Sequence, residues 1–387
     1  MKNIPETACS LLWTHVALDM DGSVMPCCRF VVDPTDRVDP RKEKSTWIKT
    51  GVPYMHQGLH SAFTGKEFSH MRETMLAGGK LSGCKKCWDT EASGVESARQ
   101  NWNKKYSHFI GTQPKLRFLE IGFSTHCNLA CRMCSPEYSS KWHSIVHPGK
   151  TVDVGFTDYI KKLNTADLSE VEYVKFVGGE PMMDKNHDKF ILSLEDFGID
   201  LSQLTLRYHT NGTIRASQSI LQTWKKVKKV VLNISVDGVG EVNEYQRPGH
   251  KWQQLDDTVD FYLQLAQNEL PNLDVETHCV ITRFNLFHLH ELTHWHSTKK
   301  FTDISFDATN YPVYISIRQL NEQDKQRAEK YLTDLFSQNP HYQGSWEQIL
   351  NKLKQPIIQE HYAGTTEMLE VFKPLDEYFN QTTEEKL

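Results

Sequence analysis

The sequence predicts an α/β fold: a partial (β/α)6 barrel of the TIM type, with a small N-terminal cysteine-rich α+β module and a C-terminal helical extension. Three observations predict it. From about residue 116 onward, short apolar segments alternate regularly with helical segments. All but one of the nine cysteines lie within the first 134 residues. Beyond Pro312 the apolar segments stop, while helical patterns continue.

Six apolar segments of the alternating region predict strands, at residues 116–123, 173–177, 204–210, 230–236, 273–281 and 302–306. Most are rich in Val, Ile, Leu or Phe, as expected of strands that are buried on both faces. Helices are predicted between them, at residues 187–197, 217–226, 255–268 and 286–296. This alternation predicts right-handed crossovers and a parallel sheet. About 195 residues are too few for a complete eightfold barrel, so an open, six-stranded one is expected.

The predicted domains are an N-terminal module at 1–112, the barrel at 113–310 and the helical extension at 311–387. The module contains a predicted hairpin around Asp21-Gly22, a polar surface excursion at 33–50 and a short helix at 68–77. Amphipathic helices of the extension, expected to pack on the outside, are predicted at 322–336, 345–353 and 366–372.

Charged residues make up 24% of the chain and the net charge is −5, so no basic excess indicates an obligatory nucleic-acid partner. No apolar run approaches the roughly 20 residues that cross a bilayer, so no membrane span is expected. Residues 1–6 lack the apolar stretch of a secretory signal, which predicts a reducing cytoplasmic location. In that compartment nine cysteines are expected to serve as metal ligands or catalytic groups rather than disulfides.

Three of the cysteines follow the first barrel strand with the spacing C-x3-C-x2-C, at Cys127, Cys131 and Cys134. Three thiolates within one loop are able to ligate a four-iron cluster and leave one iron without a thiolate. An open metal position is typical of a site that binds substrate. The alternative is a zinc knuckle that recruits a distant fourth ligand.

Polar or small residues follow the next strands as well. Paired glycines at Gly178-Gly179 would let the backbone approach a ligand, and Glu180 is suited to hold an ammonium group. Further polar groups at the strand ends are Asn211, Ser235, Asp237, Asn243 and Arg247. Each alone is explained by an ordinary strand-to-helix connection, but together they indicate a ligand site.

These motifs resemble the radical S-adenosylmethionine (SAM) superfamily over roughly the predicted barrel. The resemblance implies that Cys127, Cys131 and Cys134 hold a [4Fe–4S] cluster whose open iron chelates SAM. It also implies that Gly178-Gly179-Glu180 binds the methionine amino group, and that the ribose or the methionyl carboxylate is contacted by Asn211, Ser235 and Arg247. Met133 stands where the family usually has an aromatic residue, and it can still pack near the adenine.

The resemblance further implies an oxidoreductase or modifying enzyme that cleaves SAM to a 5′-deoxyadenosyl radical, which abstracts hydrogen from a substrate. A peptide or protein side chain is the expected substrate, and a small molecule or nucleotide is the alternative. A one-electron donor such as flavodoxin or ferredoxin is the implied partner. Residues near strand ends that are candidates for facing the substrate are His209, Arg283 and Asp307, although ordinary loop roles explain them equally well.

A second cysteine set lies in the N-terminal module. Cys9 and Cys27 stand in a C-x12-G-x4-C pattern, and Cys84 and Cys87 complete the set. It resembles the SPASM/twitch module of radical SAM enzymes, which implies an auxiliary [4Fe–4S] cluster. Here the module precedes the barrel instead of following it, and the later cysteines of a two-cluster module are absent. A four-thiolate zinc site is the alternative to the cluster. Cys28 is an alternative to Cys27 as a ligand.

Residues 290–294 match the H-E-x-x-H pattern of zinc peptidases. They lie within a predicted outer helix, in which Leu289, Leu292 and Trp295 are expected to face the sheet. His290 and His294 would then lie near the surface. A zinc-binding protein or metallopeptidase is therefore the alternative function from another class.

Overall fold

The computed structural model describes residues 4–20, 22–31, 58–92, 94–150, 163–357 and 365–383. The predicted surface excursion at 33–50, and Asp21 of the predicted hairpin, lie outside these residues. The chain divides into two compact units. Among the described residues, the first unit holds those up to Thr125, those from 163 to Arg207, and Ser217–Val230, and the second unit holds the rest. The functional boundaries at 112 and 310 stay a prediction.

The strands are β1 (His15–Leu18), β2 (Val24–Met25), β3 (Phe118–Gly122), β4 (Tyr173–Val177), β5 (Thr205–Thr210), β6 (Lys229–Ser235), β7 (Leu273–Ile281) and β8 (Asp303–Ala308). In the described part of the chain they form an eight-stranded sheet in the order β2-β1-β3-β4-β5-β6-β7-β8. Pairing is parallel for β1 with β3, β3 with β4 and β7 with β8. The six predicted strands all form, with ends within two residues of those predicted.

The N-terminal segment adds two strands to the sheet. The alternating pattern of apolar and helical segments did not predict them as part of it. Leu18 pairs with Val24 in the antiparallel hairpin that was predicted. β1 also pairs in parallel with β3, where His15 lies opposite Phe118. All four residues of β1 are buried, so its backbone groups must find partners within the protein. The sheet is therefore larger than the predicted six strands.

The α-helices of the described residues are α1 (Leu11–Thr14), α2 (Leu59–Thr64), α3 (Lys66–Leu76), α4 (Lys85–Ala92), α5 (Ala98–Tyr106), α6 (Ser140–Val146), α7 (Thr165–Leu168), α8 (Lys185–Leu192), α9 (Gln218–Trp224), α10 (Glu241–Gln246), α11 (Trp252–Asn268), α12 (Leu289–Ser297), α13 (Glu322–Gln338), α14 (Gln343–Leu353) and α15 (Thr365–Phe379). α15 is longer than the predicted segment, which ended before Pro374. In the structure the helix continues through this proline.

In the first unit, α8 packs on β4 through aromatic side chains. Phe176 contacts the rings of His187 and Phe190 edge-on, at centroid distances of 5.0 and 6.0 Å. Successive side chains of a strand point to opposite faces, so Lys175 lies on the other side of β4. There it forms an ion pair at 3.4 Å with Glu120 of β3, which compensates the charge of a carboxylate in a buried strand.

In the second unit, the last helix packs into a hydrophobic core. Met368, Phe372 and Leu375 of α15 are fully buried. They belong to a cluster that also contains Ala130, Trp142, Tyr245, Phe284, Tyr314 and Ile315. Glu370, Lys373 and Glu377 of the same helix are exposed, so α15 is amphipathic as expected, and its position outside the barrel stays a prediction. An amphipathic pattern shows that one face of a helix is buried, but it does not show against what.

His296 of α12 gives the second unit a predictable pH dependence. Its ring lies 3.0 Å from the Thr277 hydroxyl, and burial lowers its pKa from 6.5 to about 3. The folded state therefore favours the neutral ring. The contribution of this ring to the free energy of unfolding is fully present above the unfolded-state pKa, and it declines as the pH falls from about 6.5 toward 3. We expect His296 to contribute about 2 kcal/mol of the stability lost on going from pH 7 to pH 5.

Urea unfolding of the wild type and of His296→Phe at both pH values measures this contribution. The variant lacks the titrating ring, so it should lose less free energy of unfolding on acidification than the wild type. The other histidines and the carboxylates titrate in both proteins and cancel in the comparison. Equal acid sensitivity of the two proteins would contradict the prediction.

Candidate functional site

The three-cysteine loop follows β3 and belongs to the second unit. Cys131 is buried, whereas Cys127 and Cys134 are half-buried. The backbone N–H of Cys134 donates to the carbonyl of Cys131 at 2.9 Å, so a tight turn joins these two cysteines. Burial, together with the nearby Cys127, raises the pKa of the Cys134 thiol to about 12. Burial also raises the pKa of Cys131, with smaller contributions from Cys127 and Cys134. The three thiols therefore lie within electrostatic reach of one another.

Helix α6 and the residue before it hold this loop in place. Ser139 caps the helix by accepting from the Trp142 backbone N–H, and its hydroxyl also donates to the carbonyl of Leu129. The Ser140 hydroxyl accepts from the backbone N–H of Cys127 at 3.1 Å. The indole N–H of the buried Trp142 donates to the carbonyl of Cys131 at 2.8 Å. The backbone of the loop is thus fixed at Cys127, Leu129 and Cys131.

Two of the predicted strand-end residues reach the cysteine sulfurs. The amide Nδ2 of Asn211 lies 3.8 Å from Sγ of Cys127 and donates to Asn128 Oδ1 at 3.1 Å. Nη1 of Arg247 lies 3.7 Å from Sγ of Cys131. N–H donors next to cysteine sulfurs stabilise negative charge on them and tune the potential of iron–sulfur clusters. The structure thus brings Asn211 and Arg247 to the loop, and their contacts with SAM stay a prediction.

Arg247 is paired with Asp237, a residue whose role sequence reasoning missed. Nε of Arg247 lies 2.7 Å from Oδ2 of Asp237, and both side chains are buried. Asp237 is itself fixed, because its Oδ1 accepts from the Val280 N–H and its own N–H donates to Asn243. Burial acts to lower the pKa of Arg247, but the charge of Asp237 outweighs this effect. The pKa of Arg247 is therefore raised above its usual value. The signal in the sequence was an acidic residue two positions after the end of β6.

Breaking this buried ion pair should destabilise the second unit strongly. Asp237→Ala leaves the guanidinium of Arg247 buried without its counter-charge, and we expect a loss of about 3–5 kcal/mol in the free energy of unfolding. Denaturant titration measures this loss. The control is Glu195→Ala, which removes an exposed ion pair to Lys226 at 3.1 Å and should change the stability by about 1 kcal/mol or less. Similar small losses in both variants would show that the buried pair has no special role.

Two further residues that are predicted to contact SAM, Ser235 and Met133, lie in the second unit. Ser235 is the half-buried last residue of β6. Met133 is half-buried and packs against the hydrophobic cluster that contains Trp142 and Phe372. Its side chain therefore has a packing role in the chain itself, and its contact with an adenine stays a prediction.

The Gly178-Gly179-Glu180 segment lies in the first unit. Gly178 has a φ of +110°, and a Cβ there would lie 3.1 Å from the carbonyl oxygen of Ser124. The N–H of Gly179 donates to the same carbonyl at 3.0 Å, so the paired glycines allow a close backbone approach. The buried carboxylate of Glu180 accepts from the Met182 N–H at 3.1 Å. Glu180 thus caps a short 3₁₀ turn, and its predicted contact with an ammonium group remains a prediction.

The three candidates for facing the substrate have different surroundings. His209 is a half-buried residue of β5. Arg283 follows β7, and its N–H donates to the Ile315 carbonyl at 2.9 Å. Asp307 of β8 is exposed and lies 3.7 Å from the Lys352 ammonium of α14. These contacts give Arg283 and Asp307 ordinary structural roles and leave the substrate role as a prediction.

The N-terminal cysteines also form a set, within the first unit. Cys9 and Cys87 are buried, and Cys27 and Cys84 are half-buried. Burial raises the pKa of Cys84 to about 12, with contributions from Cys9 and Cys87. Burial raises the pKa of Cys27 as well, with contributions from Cys9, its neighbour Cys28 and Cys84. The four thiols therefore lie close enough to influence one another.

Cys28 faces a different environment from Cys27. Its thiol is hydrogen-bonded to the Glu120 carboxylate, and burial together with Glu120 raises its pKa to about 11. Cys28 thus interacts with the carboxylate that pairs with Lys175, whereas Cys27 interacts with the other cysteines of the set.

Two buried arginines stabilise the backbone around the N-terminal cysteines. Nη1 of Arg99 donates to the carbonyl of Ala8, next to Cys9, at 2.8 Å, and its Nη2 pairs with Glu91 at 2.7 Å. Arg72 donates through Nε to the carbonyl of Leu12 at 2.8 Å. Sequence reasoning placed Arg72 only within the predicted helix at 68–77, and it missed Arg99. Long-range partners of this kind leave no local pattern in a sequence.

The H-E-x-x-H segment has the predicted orientation. Leu289, Leu292 and Trp295 are buried, while His290 and His294 are exposed. His290 contacts the hydroxyl of Tyr331 of α13. In the described ranges, no group of three or more His, Cys, Asp or Glu residues is arranged to hold a metal ion. Nor does any described helix have the length and apolar character needed to cross a membrane.

Residues 121–281 match the family model of the radical SAM superfamily. The chain is similar to a GTP 3′,8-cyclase of Aliarcobacter butzleri (strain RM4018), with 27% identity over 126 residues, which are 32% of this chain and 35% of that protein. The chain thus spans about a third of the length of this curated relative. Among solved structures, it is similar to native anSMEcpe with bound AdoMet, at 18% identity and a TM-score of 0.43, covering 58% of this chain and 60% of that one. It is also similar to Streptococcus suis SuiB bound to the precursor peptide SuiA, at 16% identity and a TM-score of 0.41, covering 67% and 60%.

The region from Ile121 in β3 to the end of β7 therefore matches a radical SAM superfamily domain. Members of this superfamily are enzymes, and the prediction of a radical SAM enzyme is confirmed at the level of this domain. The domain implies a [4Fe–4S] cluster and SAM. The matched residues include the three-cysteine loop, Gly178-Gly179-Glu180, Asn211 and Arg247.

Proposed function

We propose that this chain is a radical SAM enzyme in which Cys127, Cys131 and Cys134 hold a [4Fe–4S] cluster with one iron open to SAM. When bound and reduced, the cluster supplies the electron that splits SAM and starts hydrogen abstraction from a substrate. One observation carries the proposal. Within the region that matches the radical SAM model, the three thiols of one loop lie within electrostatic reach of one another, and N–H donors of Asn211 and Arg247 lie 3.8 and 3.7 Å from two of their sulfurs.

The chemistry of this donor set fits the cluster. Burial holds the thiols of Cys131 and Cys134 in their neutral form, so iron binding must displace their protons. The thiolates formed in this way need positive charge and N–H donors nearby. Arg247 provides both, because Asp237 holds its guanidinium in place while Nη1 is directed to Cys131. Cys131 and Arg132 at the start of the turn are buried, which limits the access of water to Cys131.

Other residues of the domain are proposed to bind SAM. Glu180 offers a buried carboxylate for the amino group. The amide of Asn211 and the hydroxyl of Ser235 are suited to hydrogen bonds with the ribose or the methionyl carboxylate, and Met133 is suited to contact the adenine. Arg247 already contacts Asp237 and Cys131. Its contact with Cys131 supports a role in stabilising the cluster ligands beside its implied contact with SAM.

We propose further that Cys9, Cys27, Cys84 and Cys87 bind an auxiliary [4Fe–4S] cluster in a SPASM/twitch-like module. Four thiolates leave no iron open, which favours electron transfer or structural support over direct binding of a substrate. Cys27 is favoured over Cys28 as a ligand, because Cys28 is hydrogen-bonded to Glu120.

Anaerobic reconstitution with iron and sulfide tests the chemistry. Two [4Fe–4S] clusters predict about eight irons and eight sulfides per chain. With a one-electron reductant and SAM, the protein should release 5′-deoxyadenosine. A colourless protein that binds zinc and forms no 5′-deoxyadenosine would contradict the proposal and favour the zinc-protein alternative.

The proposed substrate is a peptide or protein side chain, as the resemblance to SPASM/twitch enzymes implies. A nucleotide is the second candidate, because a GTP 3′,8-cyclase is among the proteins similar to this chain. Measuring 5′-deoxyadenosine release with GTP and with a set of peptides separates the two. Stimulation by peptides together with hydrogen transfer from the peptide supports the first substrate class. Stimulation by GTP alone supports the second.

A further inference from the structure

Arg132 occupies the turn between Cys131 and Cys134, and its side chain is completely buried. A guanidinium at this position is unexpected, because a charge is costly to bury unless it is paired. Sequence reasoning assigned no role to it. Its partners lie in the C-terminal segment, residues 365–383, which comprises α15 and the four residues after it.

The guanidinium of Arg132 donates to four acceptors. Nη2 donates to Oδ1 of Asp376 at 2.7 Å and to Oε1 of Gln381 at 2.8 Å. Nη1 donates to the hydroxyl of Thr383 at 3.1 Å, and Nε donates to the carbonyl of Tyr245 at 2.9 Å. Three of the four acceptors therefore belong to the C-terminal segment. A planar fork of N–H groups is suited to bind several fixed oxygens at once.

Aromatic rings also surround the guanidinium. Its central carbon lies 4.0 Å from the ring centroid of Tyr245 and 4.8 Å from that of Phe372 in α15. Both rings belong to the hydrophobic cluster that Met133 and Cys134 pack against. Cation–π contacts of a desolvated arginine are stronger than exposed ones, so the rings reinforce the hydrogen bonds.

The acceptors are themselves fixed in position. Oδ2 of Asp376 accepts from the backbone N–H of Thr383 at 2.8 Å, and the carbonyl of Asp376 accepts from the N–H of Gln381 at 2.9 Å. The amide of Gln381 donates to the Glu244 carbonyl at 3.3 Å. The residues that follow α15, up to Thr383, thus fold back around Asp376 and contact Arg132.

We propose that Arg132 is a positioning residue, which holds the Cys131–Cys134 turn against the C-terminal segment and makes that segment part of the cluster site. This inference rests on the proposed function, because it requires the cluster on these cysteines. The backbone contacts of the loop orient Cys127 and Cys131, through Ser140 and Trp142. The contacts of Arg132 restrain the turn that follows Cys131. Without them, Cys134 should depart from the geometry that retains iron.

The test uses Asp376→Ala, because Asp376 is remote in sequence from every cysteine. It is made in a protein that also carries Cys84→Ala and Cys87→Ala, so that the iron measured belongs to the three-cysteine loop. We expect iron to be lost to a chelator about 10- to 100-fold faster than from the parent protein, the range known for residues that orient metal ligands. Asp376→Asn keeps an oxygen acceptor for Arg132 and should give an intermediate rate.

Glu377→Ala is the matched control, since Glu377 lies next to Asp376 on α15 but forms only an exposed ion pair with Lys373. It should lose iron at the parent rate. Thermal unfolding of the metal-free proteins shows whether Asp376→Ala acts through folding alone. A lower unfolding temperature with unchanged iron release would overturn the inference while leaving the proposed function intact. A parent protein that binds no iron would overturn both.

A milder variant keeps the test decisive if Asp376→Ala does not fold. Thr383→Val removes a single acceptor of Nη1 near the end of the chain. It should accelerate iron release in the same direction by a smaller factor. Parent-like iron release from Thr383→Val and Asp376→Asn, both folded, would likewise contradict the role of Arg132.

Discussion

Replacing Cys127, Cys131 and Cys134 together by alanine should remove about half of the iron and all 5′-deoxyadenosine formation. The reason is that these thiols are the ligands proposed for the cluster that leaves one iron open to SAM. The remaining iron should belong to the N-terminal set, which lies in the other unit. Iron and sulfide analysis, with chromatography of the nucleoside products, measures both effects in anaerobically reconstituted protein.

Cys279→Ala is the matched control for this variant. Cys279 is a buried thiol of β7 in the same unit, and its sulfur lies 3.8 Å from the amide of Asn285. Its replacement should leave iron content and nucleoside formation at wild-type levels. Continued 5′-deoxyadenosine formation by the triple variant would show that the loop does not hold the SAM cluster.

Replacing Cys84 and Cys87 together should also remove about half of the iron, but it should leave SAM binding in place. These two thiols complete the N-terminal set, in which burial and neighbouring sulfurs raise the pKa of Cys84 to about 12. Without four thiolates the auxiliary cluster is not retained. If the auxiliary cluster transfers electrons, its loss should lower the rate of substrate turnover strongly. The rate of 5′-deoxyadenosine release without substrate should fall much less.

Cys28→Ala is the control that shows whether iron loss is specific to the four cysteines of the N-terminal set. Its thiol is bonded to Glu120, so the variant should retain its full iron content. Loss of iron from Cys28→Ala would make Cys28 a ligand in place of Cys27. Unchanged iron in the Cys84→Ala/Cys87→Ala variant would refute the auxiliary cluster itself.

The strands were predictable because each is a short apolar run bounded by polar turns. β4 and β7 have the ends that the pattern predicted. The pairing of β1 with β3 was not predictable in this way, because the four residues of β1 also fit a simple hairpin. Which edge such a hairpin joins depends on contacts across about 100 residues of sequence, as between His15 and Phe118.

The cysteines of the candidate site were predictable from spacing, and its strand-end residues from their position after strands. Asn211 and Arg247 reach the loop for that reason. Their partners were harder to infer. Asp237 was noted only as one of several polar residues at the strand ends, although it pairs with Arg247. The structural role of Arg132 could not be predicted, because three of its four acceptors, on Asp376, Gln381 and Thr383, lie more than 240 residues away in the sequence.

The most direct test of the proposed chemistry is electron paramagnetic resonance of the reduced Cys84→Ala/Cys87→Ala protein, before and after addition of SAM. This protein should hold one cluster, on the three-cysteine loop. We predict the signal of a reduced [4Fe–4S] cluster, and we predict that SAM changes its shape because it binds directly to the open iron. A cluster signal that SAM leaves unchanged, or a protein that contains zinc and gives no signal, would contradict the assignment of this loop.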